Sequence, residues 1–137
     1  MVKNLIGRKQ RQESILGPLL FVVFVNDIVE NLCTNPFIFA DDTSLMENIT
    51  DPIYSFEKIN MDLNTLAKWA SQWRVTFNSQ KTEYLVVSLK PTPPAYPLLF
   101  LNGSVIKQVS SHTHLGLDFN DRLTWDTNIK RIITGAN

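Results

Sequence analysis

The sequence predicts an α+β fold in a single domain, and three observations lead to that prediction. The chain has 137 residues, which suits one domain of about 100–150 residues. Apolar residues make up 44% of it and charged residues 19%, as in globular rather than disordered or fibrous proteins. Segments with helical spacing and segments typical of strands follow one another in the order helix, hairpin, helix, strand and further strands.

The first predicted element is a helix over residues 14–32. Ser14 or Gly17 would cap it, and Pro18 falls in its first turn, where a missing N–H does no harm. Apolar residues lie on nearly every side of this helix, which indicates that it is buried between layers. The β-branched residues among them leave a strand as the alternative.

Two short strand-like segments, at residues 37–40 and 43–46, meet at Asp41-Asp42. This pattern is typical of a hairpin with a tight acidic turn. From the residues alone, two interpretations of the acidic pair stay open. Adjacent carboxylates repel each other unless a cation such as Mg²⁺ lies between them, which favours a metal site. Aspartate is also common in turns that have no ligand.

Residues 51–73 form the most regular helical pattern in the sequence. Asp51 is a suitable N-cap, Pro52 takes the first helical position, and apolar residues then recur every three or four positions. The spacing predicts a long amphipathic helix. It places Trp69 and Trp73 in the core rather than on a surface that stacks with bases.

The remaining residues predict a β-rich half that closes with a helix. The proline-rich part of this half can only be a stiff connector. In chain order, we expect a turn around Asn78-Ser79, a strand over 83–89, the connector over 91–97, a hairpin of 98–101 and 104–107 that turns at Asn102-Gly103, a strand over 114–119 and a helix over 125–133.

Charge and composition disfavour several classes of protein. The net charge is zero, whereas a chain that binds nucleic acid over its whole surface should be basic. Residues 13–57 carry acids but no Lys or Arg, which indicates either a metal centre or ordinary variation between solvated faces. Cys33 is the single cysteine, the N-terminus lacks a signal-peptide pattern, and the apolar run 15–25 is too short to span a membrane. We therefore expect an intracellular protein, in the nucleus or cytoplasm, without a membrane partner.

A series of short motifs follows one another along the chain. They are Arg11-Gln12-Glu13-Ser14-Ile15-Leu16-Gly17-Pro18, Asn26-Asp27-Ile28, Phe39-Ala40-Asp41-Asp42, Asn78-Ser79-Gln80-Lys81-Thr82-Glu83, His114-Leu115-Gly116 and Leu123-Thr124-Trp125. With these motifs in this order, the chain from Gln12 to Lys130 resembles the reverse transcriptases of LINE-type (non-LTR) retrotransposons.

The resemblance implies roles for particular residues. Asp41 and Asp42 would bind catalytic Mg²⁺, and Lys81 would protonate the leaving pyrophosphate as a general acid. Residues near the template and the incoming nucleotide would be Gln12, Ser14, Phe39 and Ala40, and the primer grip would comprise His114, Leu115 and Gly116. His112 and His114 are disfavoured as metal ligands because no third ligand is evident.

The resemblance also implies an architecture. Residues 14–89 would form a ferredoxin-like polymerase palm that lacks its first strand, which belongs between the acidic hairpin and the strand over 83–89. Residues 1–13 would be a remnant of the fingers and the palm loop. Residues 90–97 would connect the palm to a small β-rich region over 98–137, where the primer grip and the start of the thumb lie.

Two departures from the family limit the activity that we expect. Glu13 takes the place of the family's usual glycine, which brings bulk and negative charge near phosphates. The family also supplies a metal-binding Asp from an earlier strand, but residues 1–10 contain neither Asp nor Glu. Two-metal phosphoryl transfer needs that carboxylate. We therefore expect the metal site to be incomplete here and the chain alone to be inactive, so whether it is itself an enzyme stays open.

For the intact family, the resemblance implies RNA-templated DNA synthesis with two Mg²⁺ ions, an RNA template, a DNA primer and deoxynucleotides. The alternative from another class is a non-catalytic α+β interaction module derived from a polymerase palm. Group II intron maturases and telomerase are enzymatic alternatives, against which the motifs at Lys81 and His114 argue. Because the palm would lack a central strand, we also expect a strand-adding partner or self-association. The alternative is that residues 1–6 fill the gap, but this segment is short and has no suitable alternating pattern.

Overall fold

The computed structural model describes residues 2–3, 29, 31–39, 42–114 and 116–135 of the chain. The helix predicted over 14–32 lies almost entirely outside these residues. The strands are β1 (Val2–Lys3), β2 (Asn35–Phe39), β3 (Asp42–Met46), β4 (Glu83–Leu85), β5 (Phe100–Leu101), β6 (Ser104–Val105), β7 (Lys107–Val109), β8 (Ser111–His114) and β9 (Leu117–Asn120), and the helices are α1 (Pro52–Gln72) and α2 (Asp126–Gly135). No helix in this part of the chain is both long enough and apolar enough to cross a membrane.

Five strands form the main sheet, in the order β2-β3-β1-β4-β7. The antiparallel pairing of β2 with β3, in which Phe39 is opposite Asp42, agrees with the predicted acidic hairpin. Strand β1 is antiparallel to both of its neighbours, and β4 is parallel to β7. The pairs β5-β6 and β8-β9 form two separate two-stranded sheets.

Strand β1 occupies the position between β3 and β4 that we expected to be open. Val2 pairs with Leu45 on one side and with Tyr84 on the other, so two residues join both halves of the sheet. Strand pairing uses backbone groups and therefore does not require the alternating side-chain pattern that is missing near the N-terminus.

Helix α1 agrees with the helix predicted over 51–73. The Asp51 carboxylate caps it by accepting the Tyr54 N–H at 2.8 Å, and Pro52 is at its start. The prediction that both tryptophans belong to the core is right for Trp69, which is 9% exposed and stacks on Phe77. It is wrong for Trp73, which is 49% exposed because the helix ends there and the chain turns away.

The core lies between α1, the main sheet and the hairpin β5-β6. The ring of Phe56 on α1 contacts Tyr84 of β4 edge-on, with a centroid distance of 5.9 Å. It also stacks on Tyr96 at 5.4 Å, so the proline-rich connector packs onto the core. Leu99, Leu101 and Ile106, from the hairpin and its flanks, complete the cluster together with Leu63 and Leu66 of α1.

Two side chains of α1 hold the acidic hairpin. Asp62 is 1% exposed, and its carboxylate accepts the N–H groups of Cys33 at 2.9 Å and Thr34 at 2.7 Å, directly before β2. Lys58 forms an ion pair of 2.9 Å with Glu47, directly after β3. The hydrogen bond to Glu47 raises the pKa of Lys58 above its ordinary value.

The second half of the chain follows the prediction in part. The turn of β5-β6 has positive φ at Asn102 (51°) and Gly103 (76°), as a two-residue hairpin requires. The strand predicted over 83–89 ends at Leu85. The single strand predicted over 114–119 is wrong, because the chain reverses between β8 and β9. Gly116 permits this reversal with a φ of 81°.

We expect removal of residues 1–3 to lower the thermal unfolding midpoint and to promote association, because β3 and β4 would then each present an unpaired edge. Each buried backbone group left without a partner costs about 1–3 kcal/mol. Circular dichroism and light scattering would measure the two effects. The double variant Val2→Thr, Lys3→Thr keeps the backbone and serves as the control. A truncated chain that stays monomeric with an unchanged midpoint would show that β1 contributes nothing.

Candidate functional site

The structure describes only some of the residues that the sequence assigned to a site. Asp42 starts β3, Phe39 ends β2, and Lys81, His114 and Gly116 are also described. The other predicted site residues, Gln12, Ser14, Ala40, Asp41 and Leu115, lie outside the described residues. In sequence, Asp41 immediately precedes Asp42 at the end of the acidic hairpin.

Asp42 and Lys81 lie at the same end of the main sheet. Val2 of β1 pairs with both Leu45 and Tyr84, so these three residues form one row across the sheet. Because β1 is antiparallel to both neighbours, β3 and β4 run in the same direction. Asp42 precedes Leu45 by as many positions as Lys81 precedes Tyr84. Lys81 itself lies in the turn before β4, and β1 spans only Val2–Lys3. Where Val2 lies between them, β3 and β4 are two strand spacings apart, about 10 Å.

The turn that carries Lys81 is built around Asn78. The side-chain oxygen of Asn78 accepts the N–H groups of Gln80 at 3.1 Å and Lys81 at 3.2 Å. Its backbone carbonyl accepts the Thr82 hydroxyl at 2.8 Å. Thr82 is buried whereas Lys81 is exposed, so the threonine anchors the segment and leaves the lysine in solvent. The sequence predicted a turn here and did not reveal that Asn78 organises it.

The hairpin β8-β9 contains His114 and Gly116, and α2 holds it in place. The Asn128 carboxamide accepts the Asp118 N–H at 2.8 Å and donates to the Asp118 carbonyl at 2.6 Å. Arg131 forms an ion pair of 3.2 Å with Asp118 and donates to the Gly116 carbonyl. Sequence reasoning missed Asn128 and Arg131, because their partners are defined only once α2 packs on the hairpin.

The segments with predicted site residues converge on one cavity of about 700 Å³. Ser44 of β3, Tyr84 of β4 and His114 of β8 all line it. Burial raises the pKa of Tyr84 above its ordinary value. The remaining walls are mainly apolar, with Phe37, Met46, Phe56, Ile59, Leu99, Phe119 and Leu123 among them. The structure therefore brings the three segments together around a common space.

The described residues hold no group of three His, Cys, Asp or Glu side chains that could bind a metal ion. His112 instead contacts Glu83 through its Nδ1 atom. In sequence, Asp41-Asp42 lies at the end of the acidic hairpin, and the exposed Lys81 precedes β4 at the same end of the main sheet. This combination suits a ligand that carries phosphates and a divalent cation.

Comparison with curated proteins finds relatives along most of the chain. It is 33% identical over 130 residues to the probable RNA-directed DNA polymerase from transposon BS of Drosophila melanogaster, covering 87% of this chain and 14% of that protein. It is 25% identical over 129 residues to the RNA-directed DNA polymerase from the mobile element jockey of the same species, covering 88% and 14%. The probable polymerase from transposon X-element of Drosophila melanogaster is also 25% identical, over 128 residues, with 90% and 14% covered. The chain thus spans about 14% of the length of these relatives.

No protein-family profile matches the chain. No solved structure matches it either.

We expect Asn78→Ala to release the turn that precedes β4, because the Gln80 and Lys81 amides lose their side-chain acceptor. Loss of these hydrogen bonds should cost about 1 kcal/mol. Amide hydrogen exchange at Gln80 should accelerate by about tenfold, since local protection scales with local stability. The Lys81 amide keeps the Asn78 backbone carbonyl as an acceptor at 3.1 Å and should change less. Ser79→Ala, in the same turn, is the matched control. Equal exchange in both variants would contradict the assigned role of Asn78.

Proposed function

We propose that this chain, which belongs to the reverse transcriptases of non-LTR retrotransposons, forms part of a polymerase palm. This part carries the metal-binding Asp41-Asp42 pair. The reaction would be the addition of deoxynucleotides to a primer 3′-OH, directed by an RNA template. The activity belongs to the whole polymerase, of which this chain matches one segment. The architecture proposed for that segment is the ferredoxin-like palm followed by the junction to the thumb.

The observation that best supports this proposal is the shared position of Asp42 and Lys81 at one end of the sheet. In nucleotidyl transfer, the bond from the α-phosphorus to the bridging oxygen breaks while the primer oxygen attacks. Carboxylates are needed at the metal centre, and an acid is needed where the pyrophosphate leaves. The strands that the two groups begin or precede, β3 and β4, are two strand spacings apart, about 10 Å, at Val2. A triphosphate would lie between the two groups.

The residues at the hairpin end fit a hard divalent cation such as Mg²⁺. Asp41 and Asp42 supply carboxylate oxygens, and Mg²⁺ in polymerases is held by one or two carboxylates together with substrate phosphates and water. When bound, the metal would neutralise the phosphate charge that develops during transfer. The further carboxylate of this family's metal centre would come from outside the Asp41-Asp42 hairpin.

Lys81 would donate a proton to the leaving pyrophosphate. Its side chain is exposed at the end of the Asn78 turn, so it can approach a bound triphosphate. The resemblance assigns the primer strand to His114 and Gly116, and the template and incoming nucleotide to Gln12, Ser14, Phe39 and Ala40. The RNA template, DNA primer and deoxynucleotides are therefore the partners that we propose for the intact polymerase.

A chimeric polymerase tests the proposal directly. Residues 1–137 would replace the matching segment of the jockey polymerase, and primer extension would be measured on an RNA template with Mg²⁺. We expect extension by the chimera and a loss of at least about 100-fold on Asp41→Asn or Asp42→Asn, because removing one electrostatic stabiliser of the transition state costs this much. We expect no extension by residues 1–137 alone.

Asp51→Asn is the matched acidic control, since Asn caps a helix as well as Asp does. It should extend primers like the unsubstituted chimera. A chimera that binds primer–template but does not extend it would favour a non-catalytic interaction module. Extension that survives Asp41→Asn would remove that residue from the metal site.

A further inference from the structure

One side-chain contact joins two of the motifs that the proposed function uses. Glu83 belongs to the segment that carries Lys81, and its Oε1 atom contacts Nδ1 of His112. His112 lies in β8, which leads into the turn at Gly116. The two residues are far apart in sequence and belong to different sheets.

Glu83 lies on the face of β4 that is opposite to α1. Tyr84 packs its ring on Phe56 of α1, and successive side chains of a strand point to opposite faces. The His112 side chain is 8% exposed and that of Glu83 is 31% exposed. The contact is therefore partly shielded from water, where a hydrogen bond to a carboxylate is stronger than at an open surface.

The backbone attaches the hairpin β8-β9 to the rest of the fold at its open end. The Asp121 N–H donates to the Ser110 carbonyl, and the Ser88 N–H donates to the Asp121 carbonyl, both at 2.9 Å. These bonds attach the hairpin at its open end. The contact between Glu83 and His112 lies further along β8 and joins the hairpin to β4 itself.

We propose that Glu83 and His112 form a positioning pair that fixes the hairpin carrying His114 and Gly116 relative to Lys81. In the polymerase, this would fix the primer end relative to the acid that serves the leaving group. The inference rests on the proposed function for that consequence. The mechanical part, a hairpin held by Glu83, rests on the contact alone.

Two substitutions of Glu83 distinguish the effect of its hydrogen bond from the effect of its side-chain size. Glu83→Gln keeps an oxygen that can accept from Nδ1, whereas Glu83→Met has similar size and no acceptor. Lys107→Met is the matched control, because Lys107 is opposite Glu83 on β7 and is exposed. Any effect of an apolar residue on this part of the sheet would appear in both methionine variants.

Hydrogen exchange on the 137-residue chain tests the mechanical part. We expect the amides of residues 112–114 to exchange about tenfold faster in Glu83→Met, as local stability falls. Exchange in Glu83→Gln and Lys107→Met should stay within about twofold of the unsubstituted chain. If Glu83→Gln exchanges as fast as Glu83→Met, the hydrogen bond does not hold the hairpin. Unchanged exchange in Glu83→Met would contradict this role as well.

Single-nucleotide addition by the jockey chimera tests the catalytic consequence. With kcat expressed per titrated active site, we expect Glu83→Met to lower it by about tenfold, because a small misplacement of reacting groups slows the reaction strongly. The dissociation constant of primer–template should stay within about twofold, since neither residue is assigned a contact with nucleic acid. Glu83→Gln should restore kcat.

The outcomes distinguish this inference from the proposed function. Faster exchange in Glu83→Met with an unchanged kcat would overturn the positioning role. A loss of active sites without a change in kcat per site would show a purely structural role and overturn it as well. An unsubstituted chimera that binds primer–template without extending it would contradict the proposed function, whereas the exchange data still decide whether Glu83 holds the hairpin.

Discussion

The buried carboxylate of Asp62 holds the strand that leads into the acidic hairpin. A buried charge is costly unless hydrogen bonds satisfy it, and here the N–H groups of Cys33 and Thr34 do so. The ion pair between Lys58 and Glu47 holds the other strand of the same hairpin. Both strands are thereby attached to α1, which also packs on β4. The position of the hairpin relative to the Lys81 segment thus depends on this helix together with the pairing of β1.

The parts of the fold that the sequence predicted well are those defined by neighbours in the chain. Asp51-Pro52 marked the start of α1, and Asn102-Gly103 marked a two-residue hairpin, because capping and turn conformation are local properties. Strand β1 was only the disfavoured alternative, since two residues form a strand only where two other strands leave a gap for them. The exposure of Trp73 and the reversal at Gly116 were not predicted, because they depend on the packing of later segments.

The candidate site was likewise predictable only where neighbours in the chain define it. Motif order was enough to select Asp42 and Lys81, but their common position at one end of the sheet follows from the register of β1 with both neighbours. Asp62 lay as a polar residue on the apolar face of a predicted helix, which was a signal that could have been used. Its partners, like the Glu83–His112 contact, join segments distant in sequence and have no local pattern.

Native-state hydrogen exchange at Cys33 and Thr34 tests most directly whether Asp62 holds the hairpin. In Asp62→Ala, both amides lose a buried acceptor, which should cost about 1–3 kcal/mol for each. We expect their exchange to accelerate by at least about tenfold relative to the unsubstituted chain. Glu57→Ala, at an exposed position of the same helix, should leave both rates unchanged. If Cys33 and Thr34 exchange equally in the two variants, Asp62 does not hold the hairpin in place.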